Sequence, residues 1–541
     1  MTHFHSLCRL LLVLSSGQIL VTPALQSTTG RAATTPSVST TTRGPYGKPP
    51  TASNGTHLIG RNDTGLSAVF SSDQIEEVES LSNDNKALRV LFLSADTGGG
   101  HRASAQALAR QFEEHFPGST YDLVDVWTLD GVYPYKNLVN TYKHLSAHPS
   151  QWRLFYHISN TIPNSFIANM HSGVMCEKKI RKRIAQYDPD VVVSVHPAMN
   201  NVPRRSTKRL SKEFGKHIPF FTVVTDLGSG HSMWFERQVE KVYVASERIR
   251  KLARRRGLMP ADKIVMTGLP IRHDFALQAE NMGDRTTDSG KDYQTEIREQ
   301  LDLDTDKRMV LVMGGGEGVG SLSEIVDQLY VKFTEEGVDA TICVVCGRNE
   351  KLVNDLAGRD WDAVLALSQE PKKKRRFRSA HRSKEIQAAL NRAEESKGSA
   401  KKGEVIVRGL GYVNGMADYM VAADVLVSKA GPGTIAEAAA LGLPVMMTSY
   451  LPGQEAGNVD VVLDAGFGDY CKDPDEIARE VACWLKDDEL LATMSKRTSE
   501  VGQPTAAADI VLDIGNITHA WMDINLAANN GERRSILTSS I

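Results

Sequence analysis

One rhythm governs what this chain can fold into, and it occurs twice. From Lys86, and again from Arg308, short runs rich in Val, Ile and Leu alternate with helical patterns. Runs that are apolar on both faces are strands covered on both sides, and helices between them make those strands parallel. KALRVLFLS, TYDLVDVW, PDVVVSVHP, IPFFTVVTD and KVYVAS form the first series, with helices expected around 102–116, 174–187 and 202–215. RMVLVM, ATICVVCG, EVIVRGL, DVLVSKAG and LPVMMTS form the second. The fold class is thus α/β, with two doubly wound Rossmann-like domains. Their strand ends are expected to face each other across a cleft, where open sheets bind ligands.

The same rhythm sets the boundaries within 541 residues. Residues 85–277 read as an N-terminal domain, 278–306 as a polar interdomain connection, and 307–485 as a C-terminal domain. Residues 486–541 carry helical patterns that could cross back over the first domain. Residues 1–84 differ. MTHFHSLCRLLLVLSSGQILVTPALQS has the charge, short apolar core and small residues of a secretory signal, and the Ser/Thr-rich stretch after it has Arg and Lys without acids, as a transit peptide does. Together they predict bipartite targeting, with a secreted protein on a mucin-like linker as the alternative.

Composition excludes several classes. At 41% hydrophobic and 24% charged residues the chain is neither wholly disordered nor fibrous, and a net charge of -2 gives no overall pull toward nucleic acid. Six cysteines make no disulfide framework, and the pair Cys343 and Cys346 sits in a strand pattern without the second pair a metal site needs. No run of about 18 uncharged apolar residues occurs in the folded region, so any membrane contact is expected to be peripheral. Residues 371–402 hold twelve Lys and Arg against three Glu. Such self-repulsion predicts a disordered surface insertion, with a hold on anionic lipid or a targeting signal as other uses.

Three glycine loops join strands to helices. Gly98, Gly100 and Ala103 satisfy G-x-G-x-x-A, and Asp125 ends a second strand where a ribose-binding acid belongs, so a dinucleotide-dependent dehydrogenase competes here. His101 points elsewhere. The partial positive charge at a helix start disfavours imidazolium and keeps a neutral imidazole available as a base. In the second domain, MGGGEGVGS lacks the spacing G-x-G-x-x-G and no G-x-x-x-x-G-K-[ST] occurs, so neither Rossmann nor P-loop chemistry is the natural reading there. Gly431, Gly433 and Thr434 offer N–H groups and a hydroxyl to a phosphate, Lys429 adds positive charge, and Glu437 can accept from sugar hydroxyls. That combination suits a nucleoside diphosphate sugar.

In order along the chain, DTGGGHRASA, DVW, TVVTDLGSGHSMWF, GLPIRHDF, MGGGEG, SKAGPGTIAEAAALGLPV and LPGQEAGN resemble the monogalactosyldiacylglycerol synthases, over about residues 86–480. These are similar to the bacterial transferase that adds N-acetylglucosamine to the lipid-linked peptidoglycan precursor. The resemblance implies a GT-B architecture and inverting transfer of galactose from UDP-galactose to 1,2-diacylglycerol. Another UDP-sugar-dependent lipid glycosyltransferase would share nearly every donor motif. By the same resemblance His101 is the base, and Gly98, Gly99 and Gly100 form a floor under the reacting hydroxyl. Asp226, His231 and Trp234 match the acceptor side. Gly315, Gly316, Gly431, Gly433 and Thr434 meet the diphosphate, Tyr412 and Val413 hold the uracil, and Gln454, Glu455 and Asn458 read the sugar. Helix N-termini can neutralise the diphosphate, so no catalytic metal or other cofactor is expected.

A carboxylate is expected to orient His101, with Asp96, Asp125 and Asp226 as candidates. Basic clusters at 178–183, 204–212 and 248–256 fall in the first domain. Given a lipid acceptor, they are expected to dock on phosphatidic acid or phosphatidylglycerol, which could also activate the enzyme, and Trp152 and Phe155 are expected to insert at the membrane interface. The expected location is the envelope of a secondary plastid, with peripheral attachment. A homodimer is admitted and no nucleic-acid partner is expected.

Overall fold

The structure is a computed structural model that describes residues 86–538 apart from 98, 315–321, 369–383 and 396–401. The targeting segments, Gly98, Gly315, Gly316 and most of the basic insertion therefore lie outside the described residues.

Two six-stranded sheets carry the molecule, and every strand pairing in them is parallel. The first has the order β2-β1-β3-β4-β5-β6, from β1 (Arg89–Leu93), β2 (Thr120–Val124), β3 (Val191–Ser194), β4 (Phe220–Val223), β5 (Val242–Val244) and β6 (Ile264–Met266). The second has the order β12-β11-β10-β7-β8-β9, from β7 (Arg308–Met313), β8 (Ala340–Val345), β9 (Val405–Leu410), β10 (Val425–Ser428), β11 (Val445–Met447) and β12 (Gly468–Tyr470). The central strands β3, β4 and β10 are buried at every residue, as their unbroken Val/Phe/Leu runs require. This is the expected GT-B arrangement. The edge strands β6 and β12, three residues each, were not among the expected runs.

Chain order reverses between β1 and β3 in one sheet and between β7 and β10 in the other. A crevice opens at such a switch point, outside the carboxyl ends of the strands. The loop after β1 feeds helix α1 (Gly100–His115), and the loop after β10 feeds a helix at Pro432–Ala440. Both glycine motifs thus fall at switch points.

The polar connection is helical, at His273–Met282 and Asp288–Gln300, and it is fixed to the second domain by two buried arginines. Arg285 donates to the carbonyls of Met420 (2.9 Å), Ala423 and Leu441 (2.9 Å), while Arg298 donates to Ala422 O and to Asp424, both at 2.9 Å. Guanidinium groups satisfy carbonyls left free at the end of the Met416–Ala422 helix. At the C-terminus, a helix at Ala506–Thr538 lays Ile510, Val511 and Ile514 against Phe112, Phe116 and Tyr243 of the first domain. Asp513 on it accepts from Lys241 Nζ (2.9 Å) and Tyr243 OH (2.7 Å).

Part of the basic insertion departs from the expected disorder. Residues Lys384–Glu395 form a helix whose Ile386 and Leu390 are buried in the core of the second domain. Two apolar residues four apart outweigh the local charge, because Lys384 and Arg392 on the same helix stay exposed.

Candidate active site

His101 occupies the second position of α1, entered through Gly99 in the left-handed conformation at φ 79°. No side chain caps this helix, so its first N–H groups face the crevice. The His101 ring is buried, and its Nδ1 lies 2.6 Å from Thr225 Oγ1. Thr225 in turn donates to Val195 O at 3.4 Å. A carbonyl can only accept, so when the Thr225 proton lies toward Val195 its oxygen accepts from Nδ1–H and leaves Nε2 a bare lone pair; turned toward Nδ1, the same hydroxyl would reverse the tautomer. Burial pushes the His101 pKa down to about 4. In the ligand-free protein it is a neutral imidazole at neutral pH.

His196, at the end of β3, packs edge-on to His101 with centroids 4.6 Å apart. Its Nδ1 accepts from Ala198 N–H (3.1 Å), so its proton is on Nε2 and is donated to Thr97 Oγ1 (3.0 Å) in the glycine loop. Burial and the neighbouring His101 hold its pKa well below the usual histidine range. Neither His196 nor Thr225 was singled out from sequence, although both stand in quoted strand motifs. Only the sheet order brings the ends of β3 and β4 beside the loop after β1.

The expected orienting carboxylate is not there. Asp96 is exposed near Lys143, at 3.7 Å. Asp125 caps the short Val126–Asp130 helix by accepting from Trp127 N and Thr128 N, both at 3.0 Å, which also removes it from the dinucleotide role. Asp226 is buried and accepts from Trp234 Nε1 at 2.6 Å. Burial raises the Asp226 pKa to about 7, the Trp234 bond opposes that, and nearby Glu455 adds to it. His231 accepts from Met233 N–H (3.2 Å), lies 3.2 Å from Ser159 Oγ, and is lowered to about 4 by burial and then by Arg256. Trp234 is fully buried behind the His101 ring, 6.0 Å away.

Trp152 is not an interface anchor. It is 6% exposed, stacked among Tyr142, Phe155 and Tyr156, and this aromatic cluster meets Leu451 of the second domain. Phe155 is half-buried against the same cluster. Exposed apolar residues lie instead along the helix Ile162–Tyr187: Phe166 at 68%, Met170 at 53% and Val174 at 80%. Spaced by four, they share one face. A groove of about 690 Å³ beside them is lined by Lys178, Arg181, Arg205 and Arg209 together with Glu177, which is ion-paired to Arg181 and Arg209.

Across the crevice, the Pro432–Ala440 helix begins at Gly431 without a side-chain cap. Its first N–H groups, those of Gly433 and Thr434 among them, are therefore free of intrahelical partners. Lys429 stands beside Gly431 and is held by Glu455 at 2.5 Å, whose other oxygen accepts from Leu451 N–H at 2.7 Å. Glu455 thus steers a cation. Glu437 is buried, and both its oxygens are bonded to Arg272, at 2.8 and 3.1 Å. Burial raises the Glu437 pKa and Arg272 opposes the rise. Arg272 stands in GLPIRHDF, a quoted motif, but its charge partner could not be read from sequence. Tyr412 is exposed and Val413 half-buried just beyond β9, and Gln454 is half-buried next to Glu455 in sequence.

The two domains touch through backbone. A Cβ at Gly228 would lie 1.9 Å from Gly457 O, so only glycine allows this approach. Asn458 Oδ1 accepts from Gly228 N–H (2.9 Å) and its Nδ2 donates to Ala430 O (2.9 Å). Asn458, expected to read the sugar, joins the Asp226 loop to the Lys429 loop through its amide, and each end keeps one further bonding position.

This chain is similar to curated relatives over most of its length. It is 34% identical over 439 residues to a probable monogalactosyldiacylglycerol synthase, chloroplastic, of Nicotiana tabacum, covering 79% of this chain and 70% of that one. It is 34% identical over 463 residues to a probable monogalactosyldiacylglycerol synthase 2, chloroplastic, of Oryza sativa subsp. indica, covering 83% and 86%. The chain belongs to the monogalactosyldiacylglycerol synthase family. The family profile for monogalactosyldiacylglycerol (MGDG) synthase matches residues 101–271, and that for the glycosyltransferase family 28 C-terminal domain matches 363–510. Among solved structures it is similar to MurG of Acinetobacter baumannii, at 16% identity and a TM-score of 0.45, covering 78% of this chain and 98% of that one. In this synthase family member, His101 opens the first matched region and both halves of the crevice are accounted for.

Proposed function

We propose that the protein transfers galactose from UDP-galactose to the free hydroxyl of 1,2-diacylglycerol with inversion at the anomeric carbon. The observation that carries this is the buried His101, hydrogen-bonded through Nδ1 to Thr225, at the switch point opposite an uncapped helix N-terminus. In one displacement, Nε2 takes the acceptor proton as the acceptor oxygen attacks C1 and the bond to UDP breaks. Negative charge grows on the leaving diphosphate. The N–H groups after Gly431, the Thr434 hydroxyl and Lys429 are arranged to meet it. That same charge in the cleft raises the proton affinity of Nε2 as the reaction proceeds, which offsets the cost of a buried imidazolium. The helix N–H groups, the Thr434 hydroxyl and Lys429, itself paired with Glu455, are the groups this reading sets against the diphosphate charge in place of a metal.

Glu437, held by Arg272, is suited to accept from ribose hydroxyls, because each carboxylate oxygen keeps a second lone pair. The Asp226, His231 and Trp234 group borders the acceptor. Diacylglycerol is reached at a membrane surface, with the Phe166, Met170 and Val174 face buried in the leaflet and the adjoining basic groove against anionic head groups. No helix among the described residues is long and apolar enough to cross a membrane. The chloroplastic relatives support a plastid location. Purified protein, UDP-galactose and diacylglycerol in detergent should yield galactosyl-diacylglycerol, and His101→Ala should lose about 10²–10⁴ in rate with UDP affinity kept. A His101→Ala enzyme as fast as the parent would remove His101 as the base.

A further inference from the structure

We propose that Thr225 is a positioning residue for this reaction: its hydroxyl, anchored on the Val195 carbonyl, holds His101 in the tautomer that bares Nε2. This rests on His101 being the base. Two distances and one chemical constraint support it. Nδ1 is 2.6 Å from Thr225 Oγ1, Thr225 Oγ1 is 3.4 Å from Val195 O, and a carbonyl oxygen cannot donate. The opposite tautomer, protonated on Nε2, would need Thr225 to turn its proton to Nδ1 and away from Val195. It would also leave no lone pair for the acceptor hydroxyl.

A carboxylate in the same position would orient the ring too, but it would bring a charge into a buried site. The threonine sets geometry alone. All three carboxylates expected for the role are bonded elsewhere, to Lys143, to the backbone of Trp127 and Thr128, and to Trp234. The neighbouring ring is fixed as well. His196 takes a backbone proton on Nδ1 and gives its own to Thr97, so it cannot compete for the Thr225 oxygen.

Thr225→Val keeps the shape and deletes both hydrogen bonds, whereas Thr225→Ser keeps the hydroxyl. Tautomers are read from ¹⁵N imidazole shifts of the full chain with His101→Ala as the assignment control, and kcat and KM from the detergent assay. The wild-type protein is expected to show His101 protonated on Nδ1, and Thr225→Val a mixture. Thr225→Val should lose at least about tenfold in kcat with KM for either substrate nearly unchanged, and Thr225→Ser should stay within about threefold of the parent, since a wrong tautomer removes the base and leaves binding intact. A wild-type spectrum with the proton on Nε2 overturns the proposal without any variant having to fold. So does a Thr225→Val enzyme at full kcat. If that enzyme is fully active while His101→Ala is dead, Thr225 fails and the base survives; if both are fully active, the base assignment itself falls.

Discussion

An imidazole held by a threonine hydroxyl differs from one held by a carboxylate in charge as well as in geometry. Without a counter-charge, burial dominates the His101 pKa, which falls from 6.5 to about 4 although a hydrogen bond to the Val195 carbonyl opposes the fall. The base is therefore ready at any pH above that value. Asp226, raised to about 7 by burial, also titrates in the window, so the profile is read in Asp226→Asn. Its kcat/KM is expected to hold within about twofold from pH 7 to about 5.5, where an unperturbed histidine base would lose about tenfold. A limb centred near 6.5 would contradict the buried, uncharged setting. Stability follows the opposite ledger. Between about 4 and 6.5 the unfolded chain binds a proton at His101 that the folded chain does not, so stability is full above 6.5 and falls toward 4, by up to about 1.4 kcal/mol per unit for that group. At this scale His101 could be picked out of the sequence as a candidate because it follows three glycines at a helix start within a motif that resembles the family's. Thr225 and Arg272 were not, because an ordinary residue gains its role only from what a fold sets beside it.

Among the elements, the helices most misread were those whose charge hides an apolar face. The helix Lys384–Glu395 lies in the most basic stretch of the chain, yet Ile386 and Leu390 pack into the second core. Ile386→Asp should destabilise the protein by about 2–4 kcal/mol in a denaturant titration, since it buries an unpaired charge, while neutralising Lys372, Lys373 and Lys374 should leave the midpoint unchanged. An unaffected midpoint for Ile386→Asp would mean the helix is not part of the core. The helix Ile162–Tyr187 shows the converse, with Phe166, Met170 and Val174 left in solvent. The Phe166→Ser/Val174→Ser variant should bind vesicles containing phosphatidylglycerol at least about tenfold more weakly, given ~1.5–3 kcal/mol per large apolar side chain buried, and keep its rate in detergent. Equal vesicle binding would move the membrane contact elsewhere. The three-residue strands β6 and β12 escaped notice because edge strands need no long apolar run.

At the scale of the molecule, the alternation of strand and helix was enough to foresee two parallel sheets, since few other folds can cover such strands on both faces. Their facing loops were foreseen too. What sequence could not supply was how the halves are held together. Gly228 against Gly457, Asn458 between two loops, and the Arg272–Glu437 pair tie the crevice shut from both sides. The Ala506–Thr538 helix straps the last part of the chain onto the first domain, where Asp513 compensates the nearly buried Lys241. Asp513→Ala should cost about 3 kcal/mol in equilibrium unfolding, because it leaves that cation unpaired. The central claim, that this crevice moves galactose from a UDP donor onto diacylglycerol with inversion, is tested by its product. Purified protein given diacylglycerol with UDP-galactose, UDP-glucose or UDP-N-acetylglucosamine in separate reactions, the product read by mass and by the anomeric proton coupling, should make β-galactosyl-diacylglycerol from the first donor at the highest rate. An α-linked product, or a faster reaction with either of the other donors, would contradict it.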